Sequence, residues 1–163
     1  MPGRQLTLDL AQSPALGRED FLVSPSNASA FALVDQWPTW PTHGAVIVGP
    51  AGSGKSHLAS VWQARSHAAL CAAADLAAET VAERLAANAL VIEDAGQDGM
   101  DERALFHALN LARQQGGFVL LTAARPVAQW PVKLPDLVSR LRALPEAAIL
   151  PPDDALLRGV LVK

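Results

Sequence analysis

The sequence predicts a three-layer α/β/α sandwich with a five-stranded parallel sheet, and three observations carry that prediction. Short apolar runs recur at 45–49, 68–72, 89–93, 117–123 and 147–150. Stretches with apolar residues at three- and four-residue spacing separate them, at 55–66, 75–87, 101–115 and 135–144, the period of a helix with one buried face. The first run leads straight into a glycine-rich turn and then a helix. Strands that are apolar at every position must be covered on both faces, which a parallel sheet between two helical layers provides. Right-handed crossovers then fix the layering.

Each element can be justified in order. Residues 1–17 read as a leader and linker, interrupted by Pro2, Gly3, Pro14 and Gly17, and the domain is placed at 18–163. A helix is expected over 26–37, where Ser24-Pro-Ser-Asn offers capping side chains and a preset φ;. The segment WPTWPTHG (37–44) ends it, because each proline lacks an N–H and pushes its predecessor to extended backbone;. The five strands and four helices follow, the helix at 75–87 being rich in alanine. The segment 151–163 begins like another helix and places Leu156, Leu157, Val160 and Leu161 on one face. A partner, or a continuation of the chain, is expected to cover that face.

Composition narrows the function classes. Half of the 163 residues are hydrophobic and 18% are charged, which suits one folded domain and excludes a disordered chain;. A single cysteine, Cys71, excludes a disulfide framework and a cysteine-based zinc cluster;. The net charge of −3 gives no basis for direct binding to DNA or to an anionic membrane;. With no apolar run of membrane-spanning length and no secretory leader, a cytoplasmic protein is expected;. The four histidines show no paired metal spacing, and the four tryptophans have no basic stripe beside them, so they read as packing residues;.

The chemistry sits in Gly49-Pro50-Ala51-Gly52-Ser53-Gly54-Lys55-Ser56, which fits the pattern G-x-x-x-x-G-K-[ST];. The glycines let successive N–H groups face an anion where a Cβ would obstruct. Lys55 would reach the terminal phosphates, the Ser56 hydroxyl would hold Mg²⁺, His57 follows the loop directly, and the helix that starts there adds its dipole. ADP or ATP with Mg²⁺ is the expected ligand. At the end of the third apolar run, Glu93 is expected at the metal through water and Asp94 to orient an attacking water. The plainer reading makes both acids caps of the helix at 101–115. In the leader, QLTLDL sets Gln5 ahead of Leu6, Leu8 and Leu10, a pattern that docks as an extended peptide or is an ordinary tail.

The segments GPAGSGKSHLA, LVIED, VLLTAARP and LVSRL resemble the DnaA branch of the AAA+ ATPases. REDFLVSPSN (18–27) looks like the opening box of that branch, which packs against adenine. With the leader hexapeptide, the chain is most similar to the small DnaA-related regulators of the Hda type. The resemblance implies an AAA+ base subdomain whose helical lid would begin near the end of this chain. It implies that Phe21, Val23 and Pro25 lie near the base. Arg140, in Ser139-Arg140-Leu141, stands at the arginine finger that reaches a neighbouring subunit's ATP. Gln5, Leu6, Leu8 and Leu10 stand at the peptide that binds the sliding clamp, the β subunit of DNA polymerase III.

The function implied is that of a bacterial, clamp-bound regulator that stimulates hydrolysis of DnaA-bound ATP and prevents re-initiation of replication. Such a protein would bind no specific nucleic-acid sequence itself, enter no membrane and self-associate at most weakly. Two departures from the family pattern matter, and the first points away from self-hydrolysis. The first is Thr122-Ala123-Ala124-Arg125, with alanines where the family keeps a polar γ-phosphate sensor;. The second is the family's lid, expected to begin near the end of this sequence, whose lack would lower nucleotide affinity. Glu93 in place of an aspartate is one methylene longer and would shift Mg²⁺ slightly. The alternatives are a P-loop small-molecule kinase and an inert nucleotide-binding interaction module.

Overall fold

The structure, a computed structural model, describes residues 23–151. The leader hexapeptide, Phe21 and the apolar face expected at 156–161 lie outside the described residues. Within them, strands β1 (Gly44–Val48), β2 (Ala69–Ala72), β3 (Ala89–Ala95), β4 (Phe118–Ala123) and β5 (Glu146–Ala148) form one sheet in the order β2-β3-β4-β1-β5. Every pairing is parallel. Helices α1 (Ala28–Asp35), α2 (Lys55–Ser66), α3 (Val81–Arg84), α4 (Glu102–Gln115) and α5 (Pro135–Arg142) complete the sandwich. The expected fold class is therefore the observed one. Among the described residues, no helix is long and apolar enough to cross a membrane.

Strand alternation divides the core into two halves. Val46, Val48, Leu90, Ile92, Val119 and Leu121 face the layer of α3, α4 and α5. Ala45, Ile47, Ala89, Val91 and Leu120 face the layer of α1 and α2. All of these are buried, which is why their strands read as unbroken apolar runs;. On the second side Trp40 stacks on Trp62, and Trp37 and Phe118 close the cluster edge-on. The tryptophans thus pack, as their sequence setting predicts.

Two expectations at element level are corrected. The helix expected over 75–87 is two 3-10 turns, Ala73–Asp75 and Ala78–Thr80, followed by the single turn of α3. Leu76, Val81 and Leu85 are all buried. A straight helix would turn Leu76 and Val81 about 140° apart, so it could not bury both. Burial of each such side chain contributes roughly 2 kcal/mol, against a few tenths per residue for alanine's helix propensity. Burial wins, and the backbone breaks between them. The second correction concerns Ser24 to Asn27. No side chain caps α1. Instead Asn27 Oδ1 accepts from the Ser24 N–H at 2.8 Å, and the Ser24 and Ser26 hydroxyls bond each other at 2.9 Å. The side chains fold the turn rather than the helix end.

Smaller shifts have local causes. The last strand ends at Ala148, because the Ile149 N–H still reaches Val48 O while the Leu150 N–H turns away to Ser26 O at 2.9 Å. Helix α4 is capped by Asp101 rather than by the strand-end acids Glu93 and Asp94: Asp101 Oδ1 accepts from the Ala104 N–H at 3.0 Å, and Gly116 closes the helix at φ +74°;.

Candidate nucleotide-binding site

The loop Gly49–Ser56 joins the carboxyl end of β1 to the start of α2. Gly52 and Gly54 sit at φ +75° and +106°, a region that costs side-chain-bearing residues energy;. A Cβ on Gly49 would lie 2.7 Å from Ser53 Oγ and 2.9 Å from Ile149 O, so only glycine fits there. Pro50, Ala51 and Gly52 are exposed at the tip. Lys55 Nζ donates to the Gly49 and Pro50 carbonyls at 2.6 and 3.1 Å, which holds the cation over the loop. Ser53 Oγ is buried within the loop and has no hydrogen-bond partner among the described residues. His57 follows in the first turn of α2 with its side chain partly buried.

The two strand-end acids are brought to this loop. Between Ile92 and Ala95 on β3 the chain takes three steps while β4 takes two, from Leu121 to Ala123, so Glu93 and Asp94 occupy a bulge. Bulges re-aim side chains at the rim of a sheet. Here Glu93 Oε1 accepts from Ser56 Oγ at 2.8 Å. Asp94 is exposed at φ +61°. Its N–H donates to the hydroxyl of fully buried Thr122 at 3.2 Å. Thr122 is a residue that sequence reasoning missed. It stands one position before the alanines that replace the expected polar sensor, and its hydroxyl supports the backbone of Asp94. After β3, Gly96 at φ +85° lies under the Trp130 ring, and its carbonyl accepts from Arg125 Nη2 at 3.0 Å.

The residues present fit a phosphate group with a divalent cation. The fit rests on the Gly49 cradle that a Cβ would fill, the buried Ser53 hydroxyl without a partner, and the hydroxyl–carboxylate contact of Ser56 with Glu93. Among the described residues no three His, Cys, Asp or Glu side chains converge on a metal position. A cation here would therefore take its remaining ligands from phosphate and water, the usual habit of Mg²⁺.

Beside the loop, the segments holding Val23 and Leu150 are tied by the bond from Leu150 N–H to Ser26 O. Val23 and Leu150 are among the large apolar side chains left exposed, at 47% and 56%. Pro25 is exposed in the same turn.

Arg140 is not brought to this site. It lies in the last turn of α5, near the amino end of the sheet, where it lines a cavity with Thr42 and His43 just ahead of β1. Its Nη1 donates to Asn110 Oδ1 at 2.6 Å, and its guanidinium lies over the Phe106 ring at 5.8 Å. Both partners belong to α4. Glu102, at the start of α4, accepts the N–H groups of Lys133 and Leu134 at 2.9 to 3.2 Å, so one helix fixes both ends of the other.

A sheet in the order β2-β3-β4-β1-β5, with a phosphate-type loop after β1 and acids at the end of β3, is the fold of AAA+ P-loop base domains. No protein-family model matches the sequence, and no curated protein matches it. Solved structures do. A DNA replication initiation factor aligns with a TM-score of 0.76 at 19% identity, over 91% of this chain and 53% of that one. The AMPPCP-bound DnaA of Aquifex aeolicus aligns at 0.74 and 19%, over 91% and 53%. The DnaC helicase loader aligns at 0.55 and 14%, over 87% and 99%. The chain thus has the fold of DNA replication AAA+ proteins, and spans about half the length of the DnaA structure it matches.

Proposed function

We propose that this protein is an Hda-like regulator of the replication initiator DnaA in the bacterial cytoplasm. Its loop holds ADP or ATP, its leader holds the sliding clamp, and its Arg140 serves the ATP bound to DnaA. One observation supports this reading above the others: the loop lies at the carboxyl end of the sheet and Arg140 at the amino end. An arginine placed there cannot serve its own chain's nucleotide, but it can face the nucleotide of a neighbour packed head to tail.

In this reading the loop from Gly49 to His57 binds the phosphates, through backbone N–H groups such as those of Gly52, Gly54, Lys55 and Ser56. The Gly49 and Ser53 N–H groups hold the loop's own shape on Ala123 O and Pro50 O, and Lys55 is the compensating charge;. Ser56 and Glu93 would hold Mg²⁺, which when bound neutralises phosphate charge. Val23, Pro25 and Leu150 offer apolar surface beside the loop for a base, with Phe21 preceding them in sequence. Asp94 presents a carboxylate beside the same cradle. The buried Thr122 hydroxyl is spent on the Asp94 backbone, so Ala123 and Ala124 leave that strand end without a side chain to position a water. Own turnover is therefore expected to be slow. Arg140 enters with a held side chain, because Asn110 takes one of its N–H groups and Phe106 supports its face;. A finger supplied in trans adds roughly 10³ to 10⁵ in rate in the systems where it has been characterised.

The test is conversion of DnaA-bound ATP to ADP in the presence of clamp loaded on DNA. Wild-type protein is expected to accelerate conversion and to bind the clamp saturably, and Gln5→Ala with Leu8→Ala to lose both. Acceleration that is indifferent to the clamp and to these substitutions would contradict the tethering role. A lack of any acceleration would contradict the regulator reading as a whole.

A further inference from the structure

At the amino end of the sheet, between α4, α5 and the segment ahead of β1, lies a cavity of about 330 Å³. Thr42, His43, Leu109, Arg113, Arg140 and Leu144 line it, and among the described residues no carboxylate does. Arg113 and Arg140 each occupy the last turn of a helix, where the helix dipole favours a cation;. That position accounts for either arginine alone. It does not account for two arginines lining one cleft with no acid among its described lining residues.

The neighbouring charges sharpen the point. Asp136, one helical turn before Arg140, makes no ion pair with it, and the guanidinium donates to neutral Asn110 instead. The Arg113 guanidinium has neither a hydrogen-bond nor an ion-pair partner among the described residues, and α4 carries no acid within a turn of it. His43 Nδ1 is engaged with the Gly117 carbonyl at 2.9 Å, so its ring is held at the rim. Leu109 and Leu144 are buried and apolar and form the floor of the cleft, while Arg140 is half-buried and Arg113 exposed at its rim. A cleft so arranged carries like charges that an anion would relieve, with fork-shaped donors suited to phosphate oxygens. The chain's own phosphate loop stands at the far end of the sheet, so the anion must arrive from outside.

We infer that Arg113 is a second phosphate-contacting residue, and that the α4–α5 cleft receives the terminal phosphates of a nucleoside triphosphate held on another protein. This rests on the proposed role of Arg140 and deepens it: one cation held by Asn110 and a second across the cleft read the same polyphosphate. Removal of the γ-phosphate leaves fewer anionic oxygens for two guanidinium groups. The cleft therefore favours a partner in its triphosphate state over the product state.

Two measurements test this on the full chain. The first titrates tripolyphosphate by calorimetry against Lys55→Ala protein, whose own loop is disabled. One site is expected, weakened about tenfold by Arg113→Ala, the scale of a lost charge-assisted hydrogen bond, and lost when Arg140→Ala is added. Absence of any site in the Lys55→Ala protein would overturn the inference. The second follows DnaA-bound ATP under single-turnover conditions. Arg113→Ala is expected to slow conversion about tenfold, Arg113→Lys less, because lysine keeps the charge without the fork. Thermal melts matching wild type would exclude a folding defect, and Arg113→Glu provides a second variant if they do not match. If Arg140→Ala slows conversion while folded Arg113→Ala does not, the inference fails and the regulator reading stands. If neither slows it, both fail.

Discussion

Ser56 and Glu93 are 37 residues apart and meet at 2.8 Å, which makes their contact the most specific test of the nucleotide site. Ser56→Ala is expected to abolish most of the Mg²⁺-dependent gain in ADP affinity and leave metal-free affinity within about twofold, because the hydroxyl touches the cation rather than the phosphates. Fluorescent-nucleotide titrations with and without chelator would read this, and equal losses under both conditions would contradict it. The tryptophans offer a stability test. Trp62 Nε1 is buried without a partner, whereas Trp40 Nε1 donates to the Leu33 carbonyl at 2.6 Å. Trp62→Phe removes an unsatisfied donor, while Trp40→Phe strands a buried carbonyl, a difference of about 1 to 2 kcal/mol in favour of Trp62→Phe. Urea denaturation of the two variants compares them directly. Cys71 gives a chemical check on burial: desolvation pushes its thiol up, opposed by Arg84 and reinforced by Asp75. The loop residues were legible in the sequence, since their types and spacing state their chemistry. Thr122 was not, because its role depends on a bulge that turns Asp94 to φ +61°.

At the scale of elements, α5 takes its position from α4. The Glu102 carboxylate receives the N–H groups of Lys133 and Leu134, and Asn110 receives Arg140. Glu102→Ala is expected to cost about 1 to 2 kcal/mol of stability and to reduce Arg140-dependent stimulation by more than the loss of folded protein explains. Glu102→Gln, which retains an acceptor, should recover part of both. Thermal melts run beside the DnaA assay would separate the two effects. Helices α2 and α4 could be read from sequence nearly to the residue from their apolar period, with the phosphate loop marking the start of α2, whereas the Asp101 cap of α4 emerged only in the structure. The segment 75–87 could not. Its alanines suggest a helix, but three large side chains five and four positions apart had to reach one core, and only a broken backbone buries all three.

Across the whole molecule the fold places two chemistries at opposite ends of one sheet. Parallel strands send every β-to-α connection to the carboxyl end, where the phosphate loop and the acids of β3 gather. The return connections deliver Arg140 and Arg113 to the amino end. In the proposed reading, one end of the sheet holds a nucleotide and the other addresses a neighbour's. The alternation of strands and helices was enough to give the fold class, but the separation of Arg140 from the loop needed the topology. The central claim is that Arg140 acts on a nucleotide this chain does not hold. Its most direct test is single-turnover hydrolysis of ATP preloaded on DnaA, comparing wild type with Arg140→Ala at matched clamp occupancy. The account predicts that Arg140→Ala binds clamp and ADP normally while its stimulation falls by about 10³ or to background. Stimulation equal to wild type by a clamp-bound Arg140→Ala protein would contradict it.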